Sequence, residues 1–237
     1  MSVAIDFHSH ILPCVDDGSK SLEMSMKMLR MEAEQGISRV VATPHFYPLH
    51  DSPEKFLERR AEAEALLREE MKKENGLPEL SIGAEVYFFN GISDSDVISE
   101  LTIDRKKCIL IEMPGAPWTD SMYRELEGLY VKRGVIPIVA HLDRYIGRFH
   151  TFGIPKRLAE LPVMVQANAE FFLEKATSSM ALRMLKAGRI HLLGSDCHNL
   201  KSRAPDLGAA VDVIRKHLGD AALTQIEMYG RDILAID

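Results

Sequence analysis

His8-Ser9-His10 stands directly after the apolar run Val3-Ala4-Ile5-Asp6-Phe7. Side chains alternate along a strand, so two histidines at i and i+2 share one face. Imidazole is the commonest metal-ligating side chain, which makes this pair half of a candidate metal site. The same spacing returns near the other end of the chain in Asp196-Cys197-His198. Between the two, ligand-type residues follow other short apolar runs: His45, Glu85, Glu112, His141 and Asn168. Carboxylates and imidazoles without sulfur suit Mn, Fe or Zn better than a soft metal. They are too numerous for one ion. A carboxylate such as Glu85 or Glu112 would bridge two, and paired ions can activate water and clamp both oxygens of a phosphoryl displacement. Arg144 comes three residues after His141 and Arg203 five after His198. The fixed guanidinium fork matches phosphate oxygens and stabilises charge in phosphoryl transfer.

The elements that must position these residues alternate regularly. Val3 to Phe7, Arg39 to Thr43, Leu80 to Ala84, Cys108 to Ile111, Ile136 to Ala140, Val163 to Ala167 and Ile190 to Gly194 are short apolar runs rich in Val and Ile. Such runs read as strands buried on both faces of a parallel sheet. Helices are expected between them. Leu22 to Gln35 has Leu22, Met26, Leu29 and Ala33 at helical spacing before Gly36. Pro53 to Glu74 opens on Pro53 and precedes Gly76, and Asp120 to Arg133 has Asp120 as its N-cap candidate and Gly134 beyond it. Ser178 to Lys186 and Asp206 to Leu218 are likewise each followed by glycine. Repeated βα alternation means a parallel sheet, open or closed. Polar residues at every strand end favour a closed TIM-like barrel, which brings those ends into one ring. An open dinucleotide-binding sheet would carry a Gly-x-Gly-x-x-Gly fingerprint, which this chain lacks.

Composition narrows the class further. With 237 residues, 46% of them hydrophobic, the chain can bury a sizeable core, and one domain over residues 1–237 is expected. A net charge of -6 argues against a nucleic-acid partner. No apolar stretch approaches the roughly 20 residues of a membrane span. The N-terminus has no basic stretch leading into a long apolar one, and Cys14, Cys108 and Cys197 form no Cys-x-x-Cys pair. A reducing, cytoplasmic location is therefore expected, without membrane insertion. The oligomeric state stays open.

Taken in order, the motifs resemble those of a known family. They are Asp6-Phe7-His8-Ser9-His10-Ile11-Leu12, Val15-Asp16-Asp17-Gly18, Ala42-Thr43-Pro44-His45, Gly83-Ala84-Glu85-Val86-Tyr87 and Ile109-Leu110-Ile111-Glu112. Ile138-Val139-Ala140-His141-Leu142-Asp143-Arg144-Tyr145 and Gly194-Ser195-Asp196-Cys197-His198-Asn199 complete the set. The chain resembles the PHP (polymerase and histidinol phosphatase) family over nearly its whole length. Within it, the chain is most similar to bacterial metal-dependent protein-tyrosine phosphatases of capsule and exopolysaccharide synthesis. The resemblance implies a distorted (β/α)7 barrel of α/β class and a trinuclear cluster of divalent metal, manganese first, with iron, cobalt or zinc as alternatives. By position, His8, His10, Glu85 and Asp196 would hold one ion, and Glu85, Glu112 and His141 a second. Asp17, His45 and His198 would hold the third, and Arg144 and Arg203 match the family's phosphate-binding arginines. The implied reaction is phosphotyrosine hydrolysis by a metal-bridging hydroxide, with a bacterial tyrosine autokinase as the phosphoprotein partner. The chain departs from the family at Asp143, where relatives carry glutamate before the arginine. Phe46 to Ser52 falls in a loop that varies in the family and would shape substrate preference.

Other readings compete. Cys197 and Arg203 satisfy Cys-x5-Arg, the spacing of thiolate-dependent phosphatases. That stretch lacks a glycine cradle, and alternation turns Cys197 away from its two neighbours. Asp16 is an alternative to Asp17 as the ligand, and Asp16-Asp17-Gly18 also makes a good turn. His50, His150, His191 and His217 fit no motif and are expected as ordinary surface or core histidines. A small-molecule phosphatase such as a histidinol-phosphate phosphatase would use the same cluster. A non-catalytic metal-binding module would more often have lost ligand positions, and a nuclease would prefer a basic groove.

Overall fold

The computed structural model of the protein describes residues 4–146 and 153–236. Val3 and His150, named above, lie outside the described residues.

Each apolar run becomes a strand, and every strand pairing is parallel. β1 (Ala4–Ser9) pairs with β2 (Ile37–Ala42), and β2 with β4 (Glu79–Ile82). β3 (His45–Phe46) pairs with β5 (Glu85–Tyr87), followed in order by β6 (Cys108–Glu112), β7 (Ile136–Val139), β8 (Met164–Asn168) and β9 (Leu192–Gly194). Two of the expected runs, Arg39 to Thr43 and Leu80 to Ala84, are each followed past a kink by a further strand segment that the runs did not include. β2 resumes as β3 across Thr43-Pro44, where Pro44 has no N–H to give to a ladder. β4 resumes as β5 across Gly83-Ala84. The ladder still bridges the kinks, since Gly83 N donates to Ala42 O at 2.8 Å and Glu85 N to Pro44 O at 3.0 Å. Among the described residues, nine strand segments therefore build seven staves, and His45 and Glu85 open the new segments beyond the kinks.

The ring closes between the first and last staves. Asp196 N donates to His8 O at 2.7 Å and His10 N to Cys197 O at 2.9 Å. The buried Asp6 carboxylate accepts from His8 N and Ser195 N, both at 3.0 Å, and from Ser195 Oγ at 2.5 Å. Gly194 allows the approach: a Cβ there would lie 2.5 Å from His8 Cβ. This closed α/β ring is the expected (β/α)7 barrel. Ile5, Phe7, Val41, Leu110, Ile138 and Leu192 come from five staves and pack together with Ile233 and Leu234. A larger cluster lies between strands and helices, where Met28, Leu29, Phe56, Leu126, Leu129 and Ile214 are fully buried.

The helices follow the expected pattern with small shifts. α1 (Leu22–Glu34) is capped by Ser21, whose side chain accepts from Met24 N, and α2 (Pro53–Met71) by Ser52, accepting from Lys55 N. In α1, Met26 and Leu29 are buried as spaced, but Leu22 and Ala33 are only half-buried, and Ser25, Met28 and Glu32 take the remaining inner positions. α2 stops at Met71, before Gly76. The short helices α3 (Ile98–Leu101), α5 (Ile154–Leu158) and α6 (Ala169–Leu173) have too few turns for a readable period. In α4 (Asp120–Arg133), Thr119 occupies the cap position and Asp120 opens the helix, a correction to the expected N-cap. α7 (Ser178–Lys186), α8 (Leu207–Leu218) and α9 (Asp220–Ile233) complete the outer layer, and α9 was not anticipated. Among the described residues, no helix is long and apolar enough to cross a membrane.

Asp206 precedes α8 without making a side-chain cap bond, and its Oδ1 is buried without a hydrogen bond. Burial first, then the nearby Asp6 and Glu170, push its carboxyl from 3.8 up to about 7. The folded value exceeds the unfolded one, so folding favours the neutral acid. The stability this contributes is complete below about pH 4 and is lost as pH rises through about 7. Asp206→Asn removes the charge and keeps the shape. It is expected to raise the melting temperature by about 2–4 °C at pH 8, with the gain vanishing toward pH 4 in thermal melts followed by circular dichroism.

Candidate metal centre

The C-terminal ends of the staves point into one rim. β1 contributes His8, and His10 follows one step past its end. A register shift against β2 between Asp6 and Ser9 marks a bulge here, of the kind that re-aims side chains. His8 Nε2 and His10 Nε2 lie 3.1 Å apart. Glu85 Oε2 is 3.2 Å from the first nitrogen and 3.4 Å from the second, while Asp196 Oδ1 is 3.5 and 3.3 Å from them. Donors about 2.1 Å from one divalent ion are themselves about 3.0–3.4 Å apart, so the two imidazoles have the spacing of a shared ligand shell with each carboxylate in turn. Glu85 faces two ways. Its Oε1 is 2.8 Å from His141 Nε2, which lies 3.6 Å from Glu112 Oε1, and its Oε2 is 2.9 Å from His45 Nδ1. On the outer side, Asp17 Oδ1 is 3.6 Å from His45 Nε2 and 3.4 Å from His198 Nε2.

The rim thus brings together all nine sequence-predicted donors: His8, His10, Asp17, His45, Glu85, Glu112, His141, Asp196 and His198. The two arginines join them. Arg144 Nη2 lies 2.7 Å from Asp196 Oδ2 and its Nη1 3.3 Å from Glu112 Oε1, while Arg203 Nη2 is 2.7 Å from Asp196 Oδ1. Both guanidinium side chains are 39% exposed, so each faces the cluster and solvent together. The Arg203 loop is pinned by Asn199 Oδ1, which accepts from Lys201 N and Arg203 N.

His141 and Asp196 do not sit on the pleat. Their φ values are 32° and 54°, in the left-handed region that costs a non-glycine residue about 1–3 kcal/mol. Neighbours hold them there. Gln166 Oε1 accepts from His141 N at 2.7 Å, and Asp196 is tied to β1 by its own N–H. The alternation argument for Asp196 and His198 therefore reaches the right placement by a different backbone route.

A supporting set was missed from the sequence. Asp16, weighed only as a rival ligand, accepts from His10 Nδ1 at 2.7 Å, from Gly18 N and His45 N at 2.9 Å each, and orients two imidazole-bearing segments. Gln166 also contacts His8 Nδ1 at 3.3 Å and donates to Asn168 Oδ1, and Asn168 Nδ2 donates to Asp196 Oδ2. Tyr145 OH lies 3.3 Å from His141 Nδ1. Asp143, the departure from the family pattern, accepts from Asn168 N at 3.2 Å and so fastens the end of β8. A polar residue inside an apolar run was the available signal for Gln166 and Asp6. Cys197 points away from the rim, with Sγ 4.0 Å from Glu32 Oε1, and burial pushes its thiol well above its usual value. Nothing there makes a thiolate nucleophile. His50 and His217 are exposed, and His191 accepts from Val165 N as a partly buried structural histidine.

Charge is arranged for cations. Burial opposes ionisation of Glu85 and Asp196, but the facing imidazoles, His8 first, outweigh it and hold both carboxyls well below their ordinary range. Burial lowers His141, and burial with His10 and Arg203 lowers His198 to about 4. Burial opposes charge on His8 and His10 too, but Glu85 beside the first and Asp16 beside the second outweigh it and raise both. Burial and the neighbouring Glu85 raise Glu112 to about 7. Glu85 Oε2, Asp196 Oδ1 and His198 Nε2 are buried with ion-pair partners in reach but no well-aligned hydrogen bond. Buried oxygen and nitrogen atoms this close together, with poorly directed contacts to one another, fit divalent cations.

A parallel (β/α)7 ring with imidazoles and carboxylates gathered at its C-terminal rim is the architecture of barrel metallohydrolases. The chain belongs to the CpsB/CapC family of capsular polysaccharide synthesis, whose model matches residues 4–234. It is 31% identical over 228 residues to the tyrosine-protein phosphatase CpsB of Streptococcus pneumoniae, covering 91% of each chain. It is 30% identical over 225 residues to the tyrosine-protein phosphatase YwqE of Bacillus subtilis, covering 91% of this chain and 85% of that one. Among solved structures it superposes with a TM-score of 0.83 at 26% identity on one from a study of YwqE from Bacillus subtilis and CpsB from Streptococcus pneumoniae, described as unique metal-dependent tyrosine phosphatases. That match covers 98% of this chain and 95% of the other.

Gln166→Ala leaves the buried His141 N–H without its acceptor. The variant is expected to lose about 1–3 kcal/mol of unfolding free energy, read from the shift of the urea midpoint.

Proposed function

We infer that this chain is a metal-dependent phosphatase of tyrosine-phosphorylated proteins, acting in capsular or exopolysaccharide synthesis. The observation that supports it best is the group of His8, His10, Glu85 and Asp196, whose two imidazoles have the spacing of a shared ligand shell with each carboxylate in turn, with Arg144 and Arg203 both on Asp196. In this reading the rim holds three divalent ions. His8, His10, Glu85 and Asp196 hold one, Glu85, Glu112 and His141 a second, and Asp17, His45 and His198 the third, with His10 near enough to join that set. Manganese is the first choice, and iron, cobalt or zinc would suit the same oxygen and nitrogen donors. Bound ions supply an activated water and positive charge against the phosphoryl oxygens.

The chain's own residues do the rest. Arg144 and Arg203 present guanidinium N–H groups to the phosphate and hold it in line for displacement. Asp16, Gln166 and Tyr145 fix the imidazoles so that each presents one defined nitrogen. Tyrosine leaves as a phenolate of pKa about 10, a far better leaving group than a serine alkoxide, so no general acid is assigned. A tyrosine autokinase of a polysaccharide export system is the proposed phosphoprotein partner. The three free cysteines suit the reducing cytoplasm proposed for it.

Metal-free protein reloaded with Mn, Fe, Co or Zn is expected to hydrolyse phosphotyrosine peptides faster than histidinol phosphate. Full turnover after exhaustive metal removal would sink the mechanism. His8→Ala and His10→Ala should lower metal content and activity together while far-ultraviolet dichroism stays unchanged. Arg144→Ala and Arg203→Ala should each lower kcat/KM by about 10²-fold with metal content kept. Cys197→Ser should retain turnover, and its complete loss with metals still bound would point to thiolate chemistry instead.

A further inference from the structure

Strand register continues past the donors. His45 on β3 is paired with Glu85 on β5. Tyr87 lies two residues further along β5, on the same face as Glu85, and Tyr47 follows directly after the end of β3. Tyr47 stacks on His45 with ring centroids 5.0 Å apart and an interplanar angle of 29°, and the two tyrosine rings are 5.7 Å apart. Tyr87 is in turn paired across the ladder with Glu112, whose Oε1 lies 3.3 Å from Arg144. Tyr47 thus stands on the His45 ring of the cluster, with the Tyr87 ring beside it and the Tyr87 backbone next to Glu112.

Tyr47 also divides the mouth. On one side the lining is charged, with Asp16, Asp17, Asp51 and Arg59. On the other is a groove of about 910 Å³ lined by Leu49, Tyr87, Phe89, Pro114 and Met122. Leu49 at its lip is 89% exposed, a large apolar side chain held in water beside an active centre.

We propose that Tyr47 and Tyr87 form the wall on which the substrate's phosphotyrosyl ring stacks, and that the apolar groove beyond them takes a hydrophobic side chain adjacent to it. The proposal rests on the phosphatase reading above and specifies its substrate as a phosphotyrosine flanked by an apolar residue. An aryl phosphate ester seated on the cluster places its ring within the next few ångströms outward, and on this side the surface there is aromatic. Aromatic faces pair by offset stacking or edge contact; His45 covers one face of Tyr47 and His50 meets its ring at 6.5 Å, so the substrate ring is assigned to the side that Tyr47 shares with Tyr87. The groove is continuous with the centre through Tyr47, so ring and flanking residue can be held together. The charged branch would instead select an acidic or basic neighbour.

The test uses the metal-loaded protein with p-nitrophenyl phosphate and phosphotyrosine peptides carrying Leu, Phe, Glu or Lys beside the phosphotyrosine. Tyr47→Ala and Tyr87→Ala are expected to raise KM for both kinds of substrate about five- to tenfold with kcat changed far less. Tyr47→Phe and Tyr87→Phe should stay within about twofold, because the ring and not the hydroxyl makes the contact. Leu49→Asp should raise KM only for the Leu and Phe peptides. Inhibition by inorganic phosphate and bound metal should be the same in every variant. An unchanged KM in the double Tyr47→Ala/Tyr87→Ala variant overturns the stacking wall, as does a fall in kcat that follows lost metal. A preference for Glu or Lys peptides that Arg59→Ala or Asp51→Ala abolishes assigns the peptide to the charged branch and overturns the apolar groove. Absence of wild-type turnover on every aryl phosphate strikes the phosphatase reading itself, a result distinct from turnover with unaltered KM.

Discussion

Closure of the ring between the first and last staves is the constraint on which the rest depends. The Asp6 carboxylate has no exposure to water, and it takes three hydrogen bonds from His8 and Ser195. A buried carboxylate left unpaired would be costly, so these bonds fix the register of two strands far apart in sequence. That register sets His8 and His10 against Asp196. Without it the imidazole pair would face open solvent at the edge of a sheet, and Arg203 would have no common partner with Arg144.

From that seam, geometry propagates around the rim in small steps. The kinks at Pro44 and Gly83 restart two strands at the height where His45 and Glu85 must stand. Glu85 then spans two groups of imidazoles with its two oxygens. The left-handed backbone at His141 and Asp196 is tolerated because Gln166 and β1 each satisfy the strained residue's N–H. Strain of this kind persists only where surrounding bonds over-determine it. The supporting bonds also explain why a set of mutually close carboxylates does not simply fly apart: histidine, arginine and amide donors are interleaved between them.

The features legible in the sequence were those with a local cause. Seven apolar runs rich in Val and Ile announced seven staves, and Ser, Pro and Gly placed at run boundaries fixed most helix ends to within a few residues. Eight of the nine candidate donors were legible because they follow a run, and a barrel turns that order into a ring; Asp17, in a turn, came only from the family resemblance. What escaped notice has a non-local cause. Asp16 looks like half of a turn until His10 and His45 are folded onto it. Gln166 is one amide inside an apolar run, and only the chain reversal at His141 gives it a purpose. Tyr145 is one more aromatic until its hydroxyl meets His141 and the Met113 backbone. The short helices α3, α5 and α6 have too few turns to impose a period.

The seam has a consequence in time as well as in space. A ribosome makes this chain from its N-terminus, so Asp196, His198 and Arg203 emerge after the other residues of the rim. Until they do, the growing chain holds His8, His10, His45, Glu85, Glu112 and His141 without the stave that closes them. The nascent polypeptide is therefore a collection of unshielded imidazoles and acids, and the assembled rim exists only after the seventh strand has docked beside the first.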